Sequence, residues 1–184
     1  TVALEKKLQI KDAKTIYERA DLVVFVSKAL SLEAKELGLT DEKIKILGVG
    51  IETDLFRPIQ PKEASRKRLN IAGAKVILFI GRISFAEKGI GVLLLALTEV
   101  LAKVKDANLV IVGGGGESER IRKMIEKLGI ASHVQLVGKK LFPDLAVYLN
   151  ASDVLAVPSL WLEGFGQVTI EGMACGVPVV TSDV

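Results

Sequence analysis

The chain has 184 residues, 49% of them apolar and 26% charged, with a net charge of +3. That is a globular composition, and so small a charge with only 5% aromatic residues argues against a nucleic-acid binder. The single Cys175 excludes an internal disulfide and a cysteine-based zinc cage. No apolar run reaches the ~18 residues of a membrane helix, and the charged residues 1–20 carry no signal-peptide pattern, so a cytoplasmic protein is expected.

Taken in order, residues 11–19 read as helix and "DLVVFVS" (21–27) as a parallel strand covered on both faces. "KALSLEAKELG" (28–38) is an amphipathic helix ending at Gly38, and "KIKILGVG" (43–50) a second strand. Residues 51–62 hold two prolines and no period, which predicts a linker. A second series follows: strand 75–82, helix 89–104, strand 108–116 running into four glycines, helix 117–129 and strand 134–138. Segment 144–152, strand 153–159, a helix near 166–175 and "VPVVTS" (177–182) complete it. Strand–helix alternation predicts a doubly wound, Rossmann-like α/β fold with a parallel sheet.

In such sheets ligands bind beyond the carboxyl ends of the strands. The residues there are Ser27, Gly81–Arg82, Gly113–Glu117, Gly138–Lys140 and the run from Ser159 to Gly166. Gly81 allows close backbone approach, and Arg82 and Lys88 suit a diphosphate, although this segment alone favours an ordinary solvated turn. "VGGGGESER" leads glycines into a helix start, an anion-site arrangement that fits neither G-x-G-x-x-G nor the P-loop; Glu117 there would repel a phosphate. Glu163 falls on a loop, because Gly164 and Gly166 stop a helix from running through it. A helix starting near Gly166 exposes the amides of Gly166, Gln167, Val168 and Thr169 to a negative group. Glu171 follows one turn in. Carboxylates only accept hydrogen bonds, so this pair suits a ligand rich in hydroxyl donors, such as a sugar and a ribose joined by a diphosphate. The competing interpretation is a capping Glu163 and a solvent-facing Glu171.

"Glu163-Gly-Phe-Gly…Glu171" and "Ala174-Cys-Gly176-Val-Pro178-Val-Val" resemble the signature of the retaining glycosyltransferases of family 4, group 1 glycosyltransferases of the GT-B fold. "Gly81-Arg82…Glu87-Lys88-Gly89" resembles their diphosphate-binding segment, and "Ala151-Ser-Asp153-Val…Pro158-Ser159" the strand before the signature. The resemblance covers roughly residues 15–184. It implies a nucleotide-diphosphate sugar as donor substrate, with no cofactor and no metal. Arg82 and Lys88 would neutralise the diphosphate, and Glu163 would hold sugar hydroxyls with Gly164, Phe165 and Gly166 beside it. Gln167 and Val168 would offer amides to the phosphates and Glu171 would hold the ribose. The base would lie near Val137, Gly138 and Lys139, and Gly81, Gly113 and Gly114 would line the nucleotide pocket.

The resemblance also implies that residues 1–57 are the end of an acceptor-side domain with its crossover, and 58–184 a donor domain cut short at its C-terminal end. It departs at Gly48, Val49 and Glu52, where the family usually has Pro, Asn and Asp. His133, the only histidine, is expected to be structural. The expected activity is sugar transfer to an unidentified sugar, lipid or small-molecule acceptor; the alternatives are a catalytically incomplete nucleotide-sugar-binding module or fragment, and a sugar-nucleotide epimerase. The basic stretches "EKK" (5–7) and "RKRLN" (66–70) raise a peripheral membrane contact.

Overall fold

The computed structural model describes residues 2–71, 75–141, 143–161 and 163–184, with side chains from residue 11 onward. The chain divides into two compact units, residues 1–50 and 51–184. The sequence reading grouped 1–57 together. Ile51, Leu55 and Phe56 instead pack into the core of the second unit, which moves residues 51–57 into it.

In the first unit, α1 (Val2–Arg19) and α2 (Lys28–Glu36) accompany a two-stranded parallel ladder of β1 (Val23–Phe25) and β2 (Ile44–Ile46). Ser27 begins α2 by accepting the Leu30 N–H on its hydroxyl, so this strand-end residue acts as an N-cap. Both strands are shorter than predicted. Phe25 is buried with Ala34 and Leu39, but Val24, on the other face, is 51% exposed, so among the described residues β1 is covered on one side only.

The second unit carries a five-stranded, wholly parallel sheet in the order β5-β4-β3-β6-β7. Its elements are α3 (Lys62–Leu69), β3 (Lys75–Ile80), α4 (Ile90–Lys103), β4 (Ala107–Val112), α5 (Ser118–Lys127), β5 (Val134–Gly138), α6 (Asp144–Ala151), β6 (Val154–Val157), α7 (Gln167–Ala174) and β7 (Val179–Thr181). Alternation along the strands feeds two cores. Val76, Leu78, Val110, Val112 and Leu155 join Leu149 of α6 on one face. Phe79, Leu109 and Ile111 join Leu94 and Leu97 of α4 and Ile121 of α5 on the other. Full burial of each such side chain is worth about 1.5–3 kcal/mol.

Helix α3 was not predicted. Its charged sequence has little apolar period, and it is held by polar contacts. Asp153 accepts from Lys62 Nζ (2.9 Å), from the Arg66 guanidinium (2.6 Å) and from the Val76 N–H (2.7 Å), while Arg66 Nε donates to the Ala151 carbonyl (2.9 Å). The Arg66 side chain is only 14% exposed, so the basic stretch 66–70 is partly consumed by packing and is not a free basic face. Beside it Asn150 accepts the Ile59 N–H (2.6 Å) and donates to the Arg57 carbonyl (3.0 Å), fixing the predicted linker against α6. The side chains of the 5–7 stretch lie outside those described. No helix among the described residues is long and apolar enough to cross a membrane.

Candidate functional site

The chain runs outward from β3 through β4 to β5 and then returns to place β6 on the other side of β3. This reversal puts the topological switch point between β3 and β6, where open α/β sheets bind ligands. The segments after β3, β4, β5 and β6 all emerge on that carboxyl edge.

Three of these ends are laced together by backbone. The Gly81 N–H donates to the Val112 carbonyl (3.0 Å), the Gly113 N–H to the Gly138 carbonyl (2.9 Å) and the Ile83 N–H to the Gly114 carbonyl (3.0 Å). A Cβ at Gly113 would overlap the Gly81 carbonyl oxygen, so this close approach requires glycine. The ends enclose a cavity of about 310 Å³ with an apolar floor of Ile80, Val112 and Leu145, glycine backbone at 81, 113 and 114, and the cations Arg82, Lys139 and Lys140 on its walls. The Val137 side chain packs against the apolar core, so this residue has only backbone to offer the pocket. Beside it, the Gly138 carbonyl is taken by the Gly113 N–H.

Across the switch point, the loop after β3 is tied to the loop after β6. The Leu160 N–H donates to the Glu87 carbonyl (2.8 Å), and Gly89, with φ +61°, lies so close to the Pro158 carbonyl that a side chain there would overlap it. Lys88 Nζ donates to Glu163 Oε1, and the Ser159 hydroxyl donates to the same oxygen at 2.5 Å. Ser159 is 2% exposed, so its hydroxyl fixes the carboxylate without competition from solvent. Burial pushes the Glu163 carboxyl up, but the hydrogen bonds from Lys88 and Ser159 and the Lys88 charge outweigh it and leave the group below the ordinary glutamate value. Arg82 is held on the more exposed side by Glu87. The site thus offers two cations for an anion, each oriented by a carboxylate.

The third component is the start of α7. Gly166 is its N-cap at φ +72°, a left-handed conformation that suits glycine. The Thr169 N–H donates to the Gly166 carbonyl (2.8 Å), so of the amides expected to face a negative group Thr169 is already used. Gln167 and Val168 hold the first helical amides, which have no intrahelical partner. The Val168 side chain packs on the core, so that residue has its backbone to offer a ligand, while the exposed Gln167 has its side chain hydrogen-bonded to Glu171. Gly164 and Phe165 are half-buried beside Glu163, while Leu162 lies outside the described residues.

Glu171 is not solvent-facing. It is 8% exposed, and burial pushes its carboxyl above the ordinary value against a hydrogen bond from Gln167. The two glutamates are therefore electrostatically opposite: Glu163 is held ionised by a cation, and Glu171 is desolvated without a cationic partner among the described residues.

The sequence places Ser159 and Lys140 at the strand ends and Glu87 in the diphosphate-binding segment but assigns them no contact. Ser159, four residues before Glu163, could have been marked as its donor; Leu145 becomes visible only once the strand ends converge. Among the described residues no group of three or more His, Cys, Asp or Glu side chains is placed to hold a metal ion.

The glycosyl transferases group 1 family model matches residues 61–184. The GDP-mannose-dependent alpha-(1-6)-phosphatidylinositol monomannoside mannosyltransferase of Mycolicibacterium smegmatis is 33% identical over 168 residues, covering 88% of this chain and 44% of that protein. The D-inositol 3-phosphate glycosyltransferase of Segniliparus rotundus is 38% identical over 148 residues, covering 78% and 32%. The crystal structure of HepE of Anabaena in complex with UDP-glucose superposes with a TM-score of 0.85 at 26% identity, covering 95% of this chain and 48% of that one. The chain thus spans less than half the length of these relatives and has the Rossmann-like α/β fold of GT-B glycosyltransferases. It belongs to the group 1 glycosyl transferases.

Proposed function

We propose that this chain carries the donor site of a retaining, family 4 glycosyltransferase that takes a nucleoside-diphosphate sugar. The observation that carries the reading is the Lys88–Glu163–Ser159 constellation at the switch point, next to the glycine-lined cavity and the start of α7. The base lies in the cavity with Gly81, Gly113, Gly114, Gly138 and Lys139. Glu171 takes the ribose hydroxyls. Arg82, Lys88 and the amides of Gln167 and Val168 face the diphosphate, and Glu163 accepts hydroxyls of the transferred sugar, flanked by Gly164, Phe165 and Gly166.

In the reaction the bond between the anomeric carbon and the diphosphate breaks and a bond to an acceptor hydroxyl forms on the same face. The acceptor proton passes to the leaving diphosphate oxygen. Negative charge grows on that diphosphate, so fixed donors aimed at it favour the transition state. The protein supplies them from Arg82, Lys88 and the α7 backbone, with the donor as substrate and no resident cofactor. Support for a nucleotide-sugar donor comes from a mannosyltransferase relative named for GDP-mannose and from HepE, crystallised with UDP-glucose.

The chain's share of its relatives' length, below one half, favours binding without turnover by the chain alone. Calorimetric titration with UDP, GDP and ADP and their hexose conjugates tests the reading. Selective binding of one nucleotide series, reduced in Glu171→Ala, supports it, and no binding of any contradicts it. Product analysis with the bound sugar nucleotide then separates transfer and hydrolysis from binding alone.

A further inference from the structure

The loop between β3 and α4 carries Arg82, Glu87 and Lys88, yet it contains no regular element. Its shape is set partly from within: the Glu87 N–H donates to the Ser84 hydroxyl (3.2 Å) and the Lys88 N–H to the Ser84 carbonyl (3.1 Å). Besides its tie to the loop after β6 through the Leu160 N–H, the loop is supported by the glycine-rich turn after β4. Glu117, at the N-cap of α5, turns its carboxylate toward this loop. Glu117 Oε2 accepts the Phe85 N–H at 2.9 Å, and Oε1 accepts from Arg120 at 2.6 Å. The Arg120 guanidinium in turn lies 3.9 Å from the centroid of the Phe85 ring. Two glycines seat the arrangement: a Cβ at Gly91 would fall 2.8 Å from Phe85 Cδ1, and one at Gly115 would fall 2.7 Å from the Ile83 carbonyl oxygen.

We infer that Glu117 is a positioning residue: with Arg120 it clamps the Phe85 backbone and so fixes the loop that presents Lys88 to the donor diphosphate. The inference rests on the donor-site reading above. It gives Glu117 a role besides the expected repulsion of a phosphate: one carboxylate oxygen is engaged by the Phe85 amide and the other by the Arg120 cation, which offsets its charge. The backbone hydrogen bond from Phe85, then that from Arg120, outweighs burial and keeps the carboxyl below the ordinary glutamate value, so the acceptor stays ionised. The carboxylate acts through Lys88 and touches no substrate itself.

Two measurements on the chain test this. Amide hydrogen exchange is followed at Phe85 and Lys88 without nucleotide, and the affinity for the tightest-binding nucleoside diphosphate is measured by calorimetry. The variants are Glu117→Ala, Glu117→Gln, Lys88→Ala and the Glu117→Ala/Lys88→Ala double variant. Glu119→Ala, whose partner Lys123 is at 4.0 Å on the exposed face of α5, serves as control. Glu117→Ala is expected to speed exchange at Phe85 and weaken nucleotide binding by about tenfold each, as for one lost hydrogen bond to a charged acceptor. Glu117→Gln, which keeps an acceptor oxygen, restores most of both. The double variant binds no more weakly than Lys88→Ala, because the two act through one group.

Unchanged exchange in Glu117→Ala overturns the clamp, and independent losses that add in the double variant overturn its action through Lys88. Unaltered exchange in β4 excludes general unfolding as the cause of a loss; raised exchange throughout β4 assigns Glu117 to overall stability and overturns the positioning role. Absence of nucleotide binding in the unsubstituted chain contradicts the donor site and with it a positioning role toward a diphosphate, while the exchange measurement still tells whether Glu117 holds the loop.

Discussion

Lys88 and Glu163, 75 residues apart in sequence, are joined through a single carboxylate oxygen that also accepts the Ser159 hydroxyl. That contact bridges the loop after β3 to the loop after β6 across the reversal in strand order. It makes the cation and the carboxylate one unit, so substitution of either disturbs the other. Lys88→Ala is expected to weaken nucleoside-diphosphate binding by about 1.5–3 kcal/mol, the range for a hydrogen bond to a charged group. Calorimetry checks it, and unchanged affinity removes Lys88 from the site.

Glu171 links stability to function with the opposite sign. Its carboxyl titrates above the ordinary glutamate value in the folded chain, so between the unfolded and folded pKa values the folded state holds the extra proton. Stability contributed by this group therefore falls as pH rises through that window. Glu171→Gln is expected to raise the unfolding midpoint at pH 7, with the gain shrinking as pH falls through the folded value and absent below the ordinary glutamate value of about 4.3. The same variant weakens nucleotide binding. Thermal unfolding between pH 4 and 8 checks the first part and calorimetry the second.

Asp153 is the chief acid-sensitive joint outside the site. Burial raises its carboxyl, but the hydrogen bonds from the Val76 N–H and Lys62, with the Arg66 and Lys62 charges, outweigh that and hold it below the ordinary value. The unfolded chain therefore takes up this proton first as pH falls. The contribution is complete above the unfolded pKa and is lost as pH drops through the folded one. Asp153→Ala is expected to cost about 2–3 kcal/mol at pH 7, as for hydrogen bonds to a charged group, and less in acid. Denaturant titrations at pH 7 and pH 3 compare the two.

Gly113→Ala tests the close approach of the β3 and β4 ends. The added methyl meets the Gly81 backbone, which cannot rotate away as a side chain could. A destabilisation of about 1–3 kcal/mol, typical of overpacking, is expected together with loss of nucleotide binding. Binding at unchanged affinity would detach the glycine-lined cavity from the donor site.

Trp161, the only tryptophan, is exposed two residues before Glu163. Its fluorescence is expected to change on nucleotide-sugar binding and to stay constant with the sugar nucleotide in Lys88→Ala at the same concentration. An identical response in both proteins would place binding elsewhere.

Much of this was legible because the second sheet is fully parallel and covered on both faces. Strands such as "KVILFI" and "NLVIV" are continuous apolar runs, and glycines mark where each one ends. Glu163 could be placed on a loop from Gly164 and Gly166 alone. Helix α3 was not legible, since Lys62 and Arg66 bind it to Asp153 through polar contacts that hydropathy patterning does not register. The length of β1 was misread because an apolar run does not say how much of it finds a partner strand. Glu117 looked like an obstacle to an anion because its distant partner, the Phe85 amide, is defined only once β3 and β4 lie side by side.

The most direct test is a crystal structure of the chain with the nucleotide sugar it binds most tightly. The diphosphate is expected within hydrogen-bonding distance of Lys88 Nζ and the amides of Gln167 and Val168, with the ribose at Glu171 and the sugar at Glu163. A donor bound elsewhere, for instance in the cavity beside Thr98 and His133 at the opposite end of the sheet, would contradict it.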